Sequence, residues 1–397
     1  MKKIPNTKYQ IPNTKRVLAL NGGYAMAEAL RQIHPDVMAV YPITPQTTII
    51  ETYAKFKADG LVDTEIIQVE SEHSAMSATI GACSAGARAV TASSSQGLLH
   101  MAETLPVVSG LGLPIVMCVS SRALSAPLNI HGEHGDVMAI RDLGWVQIFG
   151  EQAQDAYDNT IIALRLAEMA GVPVMPIMDG FHTSHTTERV EVLGDEIIQS
   201  FVGQFKPENA LVDQKNPITI GTLALQNTYF DFKIDQEKAF LKVKTLYKKI
   251  CAEYGKISGR KHSLFEEYKT KDADFVIVMM GATVGTAKDA VDKLRADGKK
   301  VGLLKINLFR PFPYKEVGAA LAHTKSIAVL DRAMAFGSFP PLYQDIVTSM
   351  QSAGSRKHDV ASYVYGIGGR DTMQSHIVSV FRDLEEGEIN NKIKYLT

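Results

Sequence analysis

Short apolar runs alternate with amphipathic stretches along the first half of the chain, and this alternation restricts the possible folds more than any other feature. The apolar run at 36–41 (DVMAVY) precedes a stretch with helical spacing at 47–60 (TTIIETYAKFKADG). Further strands are predicted at TEIIQV, RAVTAS, PIVMCVSS and VPVMPIM, and further helices at SEHSAMSATIGACSAGA, QGLLHMAETLPVVSG and AQDAYDNTIIALRLAEMAG. Apolar strands separated by helices are typical of a parallel sheet covered on both faces, so we predict an α/β fold.

The alternation stops near residue 196 and resumes after residue 271. Between these points lies a long Lys-rich helical pattern at 230–257, and a repeated IPNTK near the start of the chain favours an extended arm. The predicted segments are an N-terminal arm (1–16), a first α/β domain (17–195), a helical linker (196–271) and a second, smaller α/β domain (272–397).

Composition excludes several classes of protein. The chain has 397 residues, is 45% hydrophobic and carries a formal net charge of -1, which gives no electrostatic reason to bind nucleic acid. No apolar run is long enough to span a bilayer, and the polar start lacks the apolar region of a signal peptide. Cys83, Cys118 and Cys251 lie far apart, which excludes a disulfide framework and a Cys-x-x-Cys cluster site. We expect a cytoplasmic protein without a membrane span.

The first candidate site is the corner YPITPQT at 41–47, which follows a predicted strand. Ligands of open parallel sheets bind at the carboxyl ends of the strands. Pro42 and Pro45 fix φ and stiffen the corner, while Thr44 and Thr47 present hydroxyl groups. The alternative is that Thr47 only caps the next helix and Thr44 is a turn residue.

The next two candidate loops also lead into helices. In VESEHSAM, Ser71 can cap a helix and place Glu72 in its first turn, where the helix dipole favours an anion. Glu70 and His73 are rival candidates for a catalytic role. In TASSSQGLLHM, free backbone N–H groups could meet a polar ligand, although small residues also permit close helix–strand packing.

The loop SSRALSAPLNIHGEHGD contains Arg122, whose guanidinium could bind a carboxylate with two hydrogen bonds. A simple surface arginine is the alternative. Metal ligation is suggested by His131, Glu133, His134 and Asp136, and by His182 with His185. Neither spacing matches a known zinc signature, so we predict no metal site.

Taken in order, YPITPQT, VESEHSAM, TASSSQGLLHM, SSRALSAPLNI and DGFHTSH resemble the alpha subunit of 2-oxoacid:ferredoxin oxidoreductases. The resemblance continues through LFRPFP, LDRAMAFG and YGIGGRD in the second domain. It implies that the first domain (17–195) binds the pyrimidine half of thiamine diphosphate. It also implies that the second domain (272–397) is the α/β domain found at the C-terminus of transketolase.

The resemblance also implies roles for individual residues. Glu72 would bind the aminopyrimidine N1′ of the cofactor, so that the cofactor can lose its C2 proton. The implied catalytic residues are Glu72, Thr44 and Arg122; the implied cofactor-binding residues are Glu72, Pro42, Ile43, Ser95 and Gln96; and the implied substrate-binding residues are Thr44, Arg122, Leu128 and Ile130.

Part of the machinery of this family is missing from the sequence. No segment provides the Gly-Asp-Gly motif with a downstream Asn that binds diphosphate and Mg²⁺, and the cysteines for clusters are absent. The resemblance therefore implies a beta subunit that holds the diphosphate and Mg²⁺. It further implies ferredoxin-like gamma and delta subunits with the iron–sulfur clusters, coenzyme A as co-substrate, and ferredoxin or another electron acceptor.

The predicted function is oxidative decarboxylation of a 2-oxoacid to an acyl-CoA, with pyruvate as the first choice. Branched-chain and aryl 2-oxoacids, such as phenylglyoxylate, are alternative substrates. Two other functions stay open: a thiamine enzyme of the dehydrogenase-E1 or transketolase type without clusters, and a non-catalytic assembly scaffold. The YPITP and DGF-TSH motifs disfavour the first, and the presence of Glu72 and Arg122 disfavours the second.

Overall fold

The structure, a computed structural model, describes residues 14–207, 209–354, 359–389 and 392–397. The strands in the first part of the chain are β1 (Arg16–Leu20), β2 (Val37–Val40), β3 (Glu65–Gln68), β4 (Ala89–Ser93), β5 (Val116–Ser121), β6 (Val146–Phe149), β7 (Val174–Asp179) and β8 (Glu188–Val192). The helices there are α1 (Gly22–Ile33), α2 (Thr47–Ala58), α3 (Glu72–Ser84), α4 (Gln96–His100), α5 (Leu105–Gly110), α6 (Gly135–Ala139), α7 (Ala153–Ala170) and α8 (Asp195–Val202).

The rest of the described chain forms a second set of elements. Its helices are α9 (Tyr229–Ser258), α10 (Val284–Ala296), α11 (Tyr314–Leu321), α12 (Pro341–Ser352) and α13 (Gln374–Glu385). Its strands are β9 (Phe265–Tyr268), β10 (Phe275–Met279), β11 (Val301–Ile306), β12 (Leu308–Arg310), β13 (Ser326–Asp331), β14 (Asp359–Tyr365) and β15 (Ile393–Leu396). Most of the predicted N-terminal arm (1–16) lies outside the described residues, and Arg16 already belongs to β1.

Two mostly parallel sheets confirm the predicted α/β fold. The first has the strand order β12-β6-β7-β5-β4-β2-β3, and only its edge strand β12 is antiparallel to its neighbour. The second has the order β15-β14-β13-β10-β11-β9, with β9 antiparallel. Strands β4, β5 and β7 are buried along their whole length, which explains why their sequences show no polar–apolar alternation. β1 and β8 form a separate antiparallel pair.

The predicted helix QGLLHMAETLPVVSG is instead two short helices, α4 and α5, separated by a turn at 101–104. Pro106 lies in the first turn of α5. Since proline has no N–H to donate to the preceding turn, it is tolerated at the start of a helix but not within one. The break ends α4 at His100, which lies at the candidate site described below.

Helix α9 forms where the Lys-rich pattern predicts a helix. Val243, Tyr247, Ile250 and Tyr254 recur at helical spacing, are buried, and belong to the same apolar core as α7. Strand β9 also lies within the predicted linker, yet it extends the second sheet by pairing with β11. The described helices include none that is both long and apolar enough to cross a membrane.

Strand β12 joins the two parts of the chain. It follows β11 of the second sheet directly but pairs with β6 at the edge of the first sheet. Phe309, at its centre, is fully buried and contacts Phe149 edge-on at 5.9 Å between ring centroids. Both belong to one apolar core that also contains Val276 and Leu304 of the second sheet. The two sheets therefore share a hydrophobic core.

We expect Phe309→Ala to lower the free energy of unfolding by about 3–5 kcal/mol, because it leaves a cavity in this shared core. Phe336 is 91% exposed and provides the control, since Phe336→Ala should change stability by less than about 0.5 kcal/mol. Denaturant unfolding of the full chain measures both. Equal effects of the two substitutions would contradict the prediction.

Candidate active site

The corner after β2 is fixed to the neighbouring strand β4 by a buried glutamine. Gln46 Nε2 donates to the carbonyl oxygens of Tyr41 and Ala92, each at 3.0 Å. Gln46 occupies the N-cap position of α2 and Thr47 is the first helical residue, so the alternative that Thr47 caps this helix is wrong. Thr44 in this corner is exposed to solvent.

At the start of α3, the two candidate carboxylates, Glu70 and Glu72, differ in burial. Ser71 is the N-cap, as predicted, and its hydroxyl accepts from Ser74 N at 3.2 Å. Glu72 follows in the first turn and is only 7% exposed. Glu70 is exposed and accepts from the Ser74 hydroxyl. Of the two acidic residues, Glu72 alone is buried at the helix N-terminus.

The carboxylate of Glu72 reaches across to helix α4. Its Oε2 lies 3.1 Å from Nδ1 of His100. A Cβ atom built at Gly97 would lie 2.8 Å from Oε1 of Glu72 and closer still to the hydroxyl oxygen of Ser93. The carboxylate oxygen and the hydroxyl oxygen therefore border the same small space. The Ser93 hydroxyl is buried and has no hydrogen-bond partner among the described residues. Glycine at position 97 keeps this space open, and two polar atoms are directed into it.

The loops after β4 and β5 are held together by a fully buried carboxylate, Asp136. Oδ2 accepts from the backbone N–H groups of Ser95 at 2.8 Å and Arg122 at 2.9 Å. Oδ1 accepts from Val137 N at 2.7 Å and lies 2.6 Å from the hydroxyl of Ser121. Burial raises the pKa of Asp136, and these hydrogen bonds oppose that shift. Asp136 thus holds the backbone of two candidate residues, Ser95 and Arg122, in place.

Ser95 has a φ of 50°, in the left-handed region that non-glycine residues rarely adopt. Its hydroxyl lies 2.6 Å from Oε1 of Gln96 and donates to the Ala123 carbonyl, while its N–H binds Asp136. These bonds stabilise a backbone conformation that local sequence preference disfavours. They also place Ser95 and Gln96 at the start of α4, near Glu72.

Arg122 contacts the backbone of Thr44, the other residue that the resemblance assigns to the substrate. Nη1 of Arg122 donates to the Thr44 carbonyl at 2.9 Å, and Nε donates to the Asn129 carbonyl at 3.0 Å. Nη2 has no acceptor among the described residues. Burial lowers the pKa of this guanidinium. Leu128 and Ile130 flank Asn129 and are 76% and 40% exposed, so they lie on the outer side of the same loop.

A second buried carboxylate, Asp179 at the end of β7, joins the carboxyl ends of strands from both sheets. Oδ1 lies 2.7 Å from His134 Nε2, and Oδ2 accepts from Arg332 Nη1 at 2.6 Å and from Ala282 N at 3.2 Å. Burial would raise the pKa of Asp179, but the charges of His134 and Arg332 outweigh it and the pKa is lowered. Arg332 follows β13 and Ala282 follows β10, so this network fixes the second sheet against the first.

The glycine-rich loop after β14 packs against the loop that carries Leu128 and Ile130. Asn129 Nδ2 donates to the Gly368 carbonyl, and Gly368 N donates to Glu133 Oε2, each at 3.0 Å. Gly369 has a φ of 80°, and a side chain there would collide with Cβ of His131. The YGIGGRD motif therefore acts by close backbone contact, which supports the candidate substrate loop from the second sheet.

The residues that suggested a metal site turn towards different partners. His131 packs against Phe181, Glu133 binds Gly368, and His134 binds Asp179. His182 lies 3.3 Å from Arg332 and His185 stacks on Phe181. No group of three or more His, Cys, Asp or Glu side chains within the described ranges is arranged to hold a metal ion.

Comparison with known proteins identifies the family. Residues 28–251 match the family model described as the thiamine diphosphate-binding domain of pyruvate flavodoxin/ferredoxin oxidoreductase. Residues 273–377 match core domain II of pyruvate:ferredoxin oxidoreductase. The chain belongs to the pyruvate:ferredoxin oxidoreductase family. The resemblance read from the sequence motifs is confirmed, and the chain is a subunit of a 2-oxoacid:ferredoxin oxidoreductase.

Relatives within this family match almost the full chain. The pyruvate synthase subunit PorA of Thermotoga maritima is 49% identical over 374 residues, which cover 94% of this chain and 95% of the relative. The ketoisovalerate oxidoreductase subunit VorA of Pyrococcus abyssi is 39% identical over 381 residues, which cover 95% and 96%. The relatives thus carry the names of two different 2-oxoacid oxidoreductases.

Solved structures share the fold at low sequence identity. A 2-oxoglutarate:ferredoxin oxidoreductase from Magnetococcus marinus matches with a TM-score of 0.65 and 20% identity, and the match covers 94% of this chain and 66% of that chain. A split gene transketolase matches with a TM-score of 0.51 and 10% identity, covering 92% and 98%. These likenesses confirm the two-part α/β fold expected of the family.

Sequence reasoning missed several residues that build the site. Asp136 was considered only as a metal ligand, and His100 and Gln46 were not considered. His100 lies inside the TASSSQGLLHM motif, but its contact with Glu72 depends on α3 and α4 lying side by side. Gly97 is the one residue whose type gave a signal, because a glycine in a helical pattern often marks a close approach.

We expect Arg332→Gln to destabilise the chain by about 3–5 kcal/mol at neutral pH, because it leaves a buried carboxylate without its cation. The pKa of Asp179 is lower in the folded protein than in the unfolded chain. The stability that its ionised carboxylate contributes is therefore fully present above the ordinary pKa of about 3.9 and is lost as the pH falls. The difference from wild type should therefore shrink below about pH 4.

Unfolding free energies measured across this pH range check the expectation. Arg189→Gln is the matched control, since Arg189 forms an exposed ion pair with Glu191 and should cost less than about 1 kcal/mol. A loss for Arg332→Gln that is the same at low and neutral pH would show that Asp179 is not the group involved.

Proposed function

We propose that this chain is the alpha subunit of an oxidoreductase that decarboxylates pyruvate, with a branched 2-oxoacid such as ketoisovalerate as the second candidate. The observation that carries the proposal is the buried carboxylate of Glu72. It converges with the Ser93 hydroxyl on the open face of Gly97, inside the segment that matches a thiamine diphosphate-binding family model. Relatives named for pyruvate and for ketoisovalerate support the choice of substrates.

The residues around Glu72 fit the aminopyrimidine half of thiamine diphosphate. When bound, this cofactor supplies the nucleophilic carbon that attacks the 2-oxo group and takes up the electrons of decarboxylation. Glu72 would hold the ring nitrogen through Oε1. The unpaired Ser93 hydroxyl offers a further polar contact, and Gly97 leaves room for a planar ring. Pro42, Ile43, Ser95 and Gln96 would border the ring from the corner after β2 and the start of α4.

Glu72 would exchange a proton with the ring nitrogen. A carboxylate that is 7% exposed is shielded from competing water, and its hydrogen bond to a ligand is correspondingly strong. Its place in the first turn of α3 gives it support from the helix dipole. Such a group is suited to general acid–base work within a closed site.

Arg122 and Thr44 would orient the 2-oxoacid. Arg122 is held by two carbonyl oxygens, which leaves Nη2 to bind the substrate carboxylate. The exposed hydroxyl of Thr44 would bind the keto oxygen. Leu128 and Ile130 would contact the acyl side chain only after a partner covers their loop, since both are exposed here.

The proposal requires partner subunits. A beta subunit would hold the diphosphate and Mg²⁺, and gamma and delta subunits would carry the iron–sulfur clusters to ferredoxin or another acceptor, with coenzyme A accepting the acyl group. Burial raises the pKa of the thiols of Cys83, Cys118 and Cys251 to about 12, which disfavours the thiolate form that clusters need. We also propose a cytoplasmic location, because these three thiols are free.

A panel of 2-oxoacids separates the candidates. The complex purified with its partners is assayed for reduction of a viologen dye with and without coenzyme A. Dye reduction that depends on pyruvate and coenzyme A supports the proposal, and a preference for ketoisovalerate selects the second candidate. An active but colourless complex would favour a cluster-free thiamine enzyme, and a brown complex whose activity survives Glu72→Gln would favour the scaffold.

We expect Glu72→Gln to reduce turnover more than tenfold, equivalent to about 1.4 kcal/mol of barrier, while the complex still assembles. Glutamine keeps the size of the side chain but cannot take up the proton. Glu70→Gln is the control, because Glu70 is exposed and binds only Ser74 near the helix start. Steady-state kinetics and gel filtration measure the two effects. If Glu70→Gln were the more damaging change, Glu70 would be the functional acid.

Arg122→Lys should raise KM for the 2-oxoacid by about tenfold or more, since lysine cannot reproduce the planar set of hydrogen bonds. The affinity for thiamine diphosphate should stay unchanged, because Arg122 lies on the substrate side. Arg141→Lys, beside α6 with its side chain paired to Asp142, is the matched control. Unchanged KM and kcat for Arg122→Lys would exclude a role in substrate binding.

A further inference from the structure

His100 touches the functional carboxylate but has no role in the function proposed above. It is the last residue of α4, its side chain is 56% exposed, and its Nδ1 lies 3.1 Å from Oε2 of Glu72. An ionised carboxylate can only accept a hydrogen bond, so Nδ1 of His100 donates to an ionised Glu72. The side chain is largely exposed, so the hydrogen bond to Glu72 is its principal polar contact.

We propose that His100 is a positioning residue that fixes the Glu72 carboxylate for cofactor binding. It holds Oε2, and this directs Oε1 towards Gly97 and Ser93, where the ring nitrogen of the cofactor would bind. The inference rests on the proposed role of Glu72.

The other charged groups near His100 do not replace this contact. His73 on α3 lies with its ring centroid 6.4 Å from that of His100, and its Nε2 is 3.5 Å from Glu103 in the turn after α4. On α6, Asp136 is fully buried and is saturated by the donors of the neighbouring loops. His100 thus has Glu72 and His73 of α3 beside it, and Glu103 pairs with His73.

Two substitutions test the hydrogen bond from His100. In His100→Asn the amide nitrogen takes the place of Nδ1 and can donate, whereas His100→Leu has no donor. His73→Asn is the matched control, since His73 makes no hydrogen bond to Glu72. The affinity for thiamine diphosphate is measured by calorimetry on the cofactor-free complex. Steady-state kinetics under the same conditions give kcat and KM, so that an effect on cofactor binding is distinguished from a general loss of activity.

We expect His100→Leu to weaken thiamine diphosphate binding by about tenfold at neutral pH, the loss of one hydrogen bond to a charged group. His100→Asn should bind within about threefold of wild type, because its amide restores the donor. The control should match wild type.

Wild-type affinity in His100→Leu, or an affinity of His100→Asn as low as that of His100→Leu, would overturn the inference. Failure of both variants to assemble would also overturn it, because His100 would then be a structural residue. Glu72→Gln separates this failure from that of the proposed function. If Glu72→Gln leaves the affinity for thiamine diphosphate and the turnover unchanged, the function itself is wrong. If it weakens binding while the His100 variants do not, only the role of His100 is wrong.

Discussion

The candidate site depends on the buried ion pair between Asp179 and Arg332, which joins the carboxyl ends of β7 and β13. Both side chains are almost inaccessible to solvent, and His134 completes the set of partners around Asp179. Taking such charges out of water costs free energy that their attraction offsets only when the geometry is well defined. Arg332 also donates to the Gly366 carbonyl at 3.2 Å, so the pair fixes the glycine-rich loop after β14 as well.

The arrangement of the substrate side follows from this junction. The loop after β14 packs against Asn129, and Asn129 in turn accepts from the guanidinium of Arg122. Asp136 holds the backbone of Arg122 and that of Ser95, so the second sheet acts on the site through a chain of contacts. Preorganisation of this kind reduces the entropy lost when a ligand is oriented. The second domain thus contributes to the site without supplying the candidate catalytic groups.

Part of the candidate site lies open to solvent. Glu72 is buried, but His100 beside it and the loop with Leu128 and Ile130 are exposed. A partner that covers this side would exclude water from the carboxylate and the guanidinium together, which strengthens both interactions.

The sequence alone determined the class of fold, the family and the first turn of α3. Apolar runs separated by helical patterns are a local property, and so is the cap at Ser71 that places Glu72 next to it. Two local predictions were wrong. The single helix predicted after β4 is two helices, and Pro106 lies at the start of the second. The N-cap of α2 is Gln46 and not Thr47.

Tertiary structure alone decided which side chains meet. Asp179 and Arg332 lie 153 positions apart, and Glu72 and His100 lie 28 apart, so each contact depends on the order of strands in the sheets. Asp136 looked like a metal ligand because its sequence neighbours are acidic residues and histidines, yet in the fold it accepts backbone N–H groups. The physical reason is that a buried carboxylate is stabilised by whichever donors the packed strands bring within about 3 Å, and sequence spacing does not contain that information.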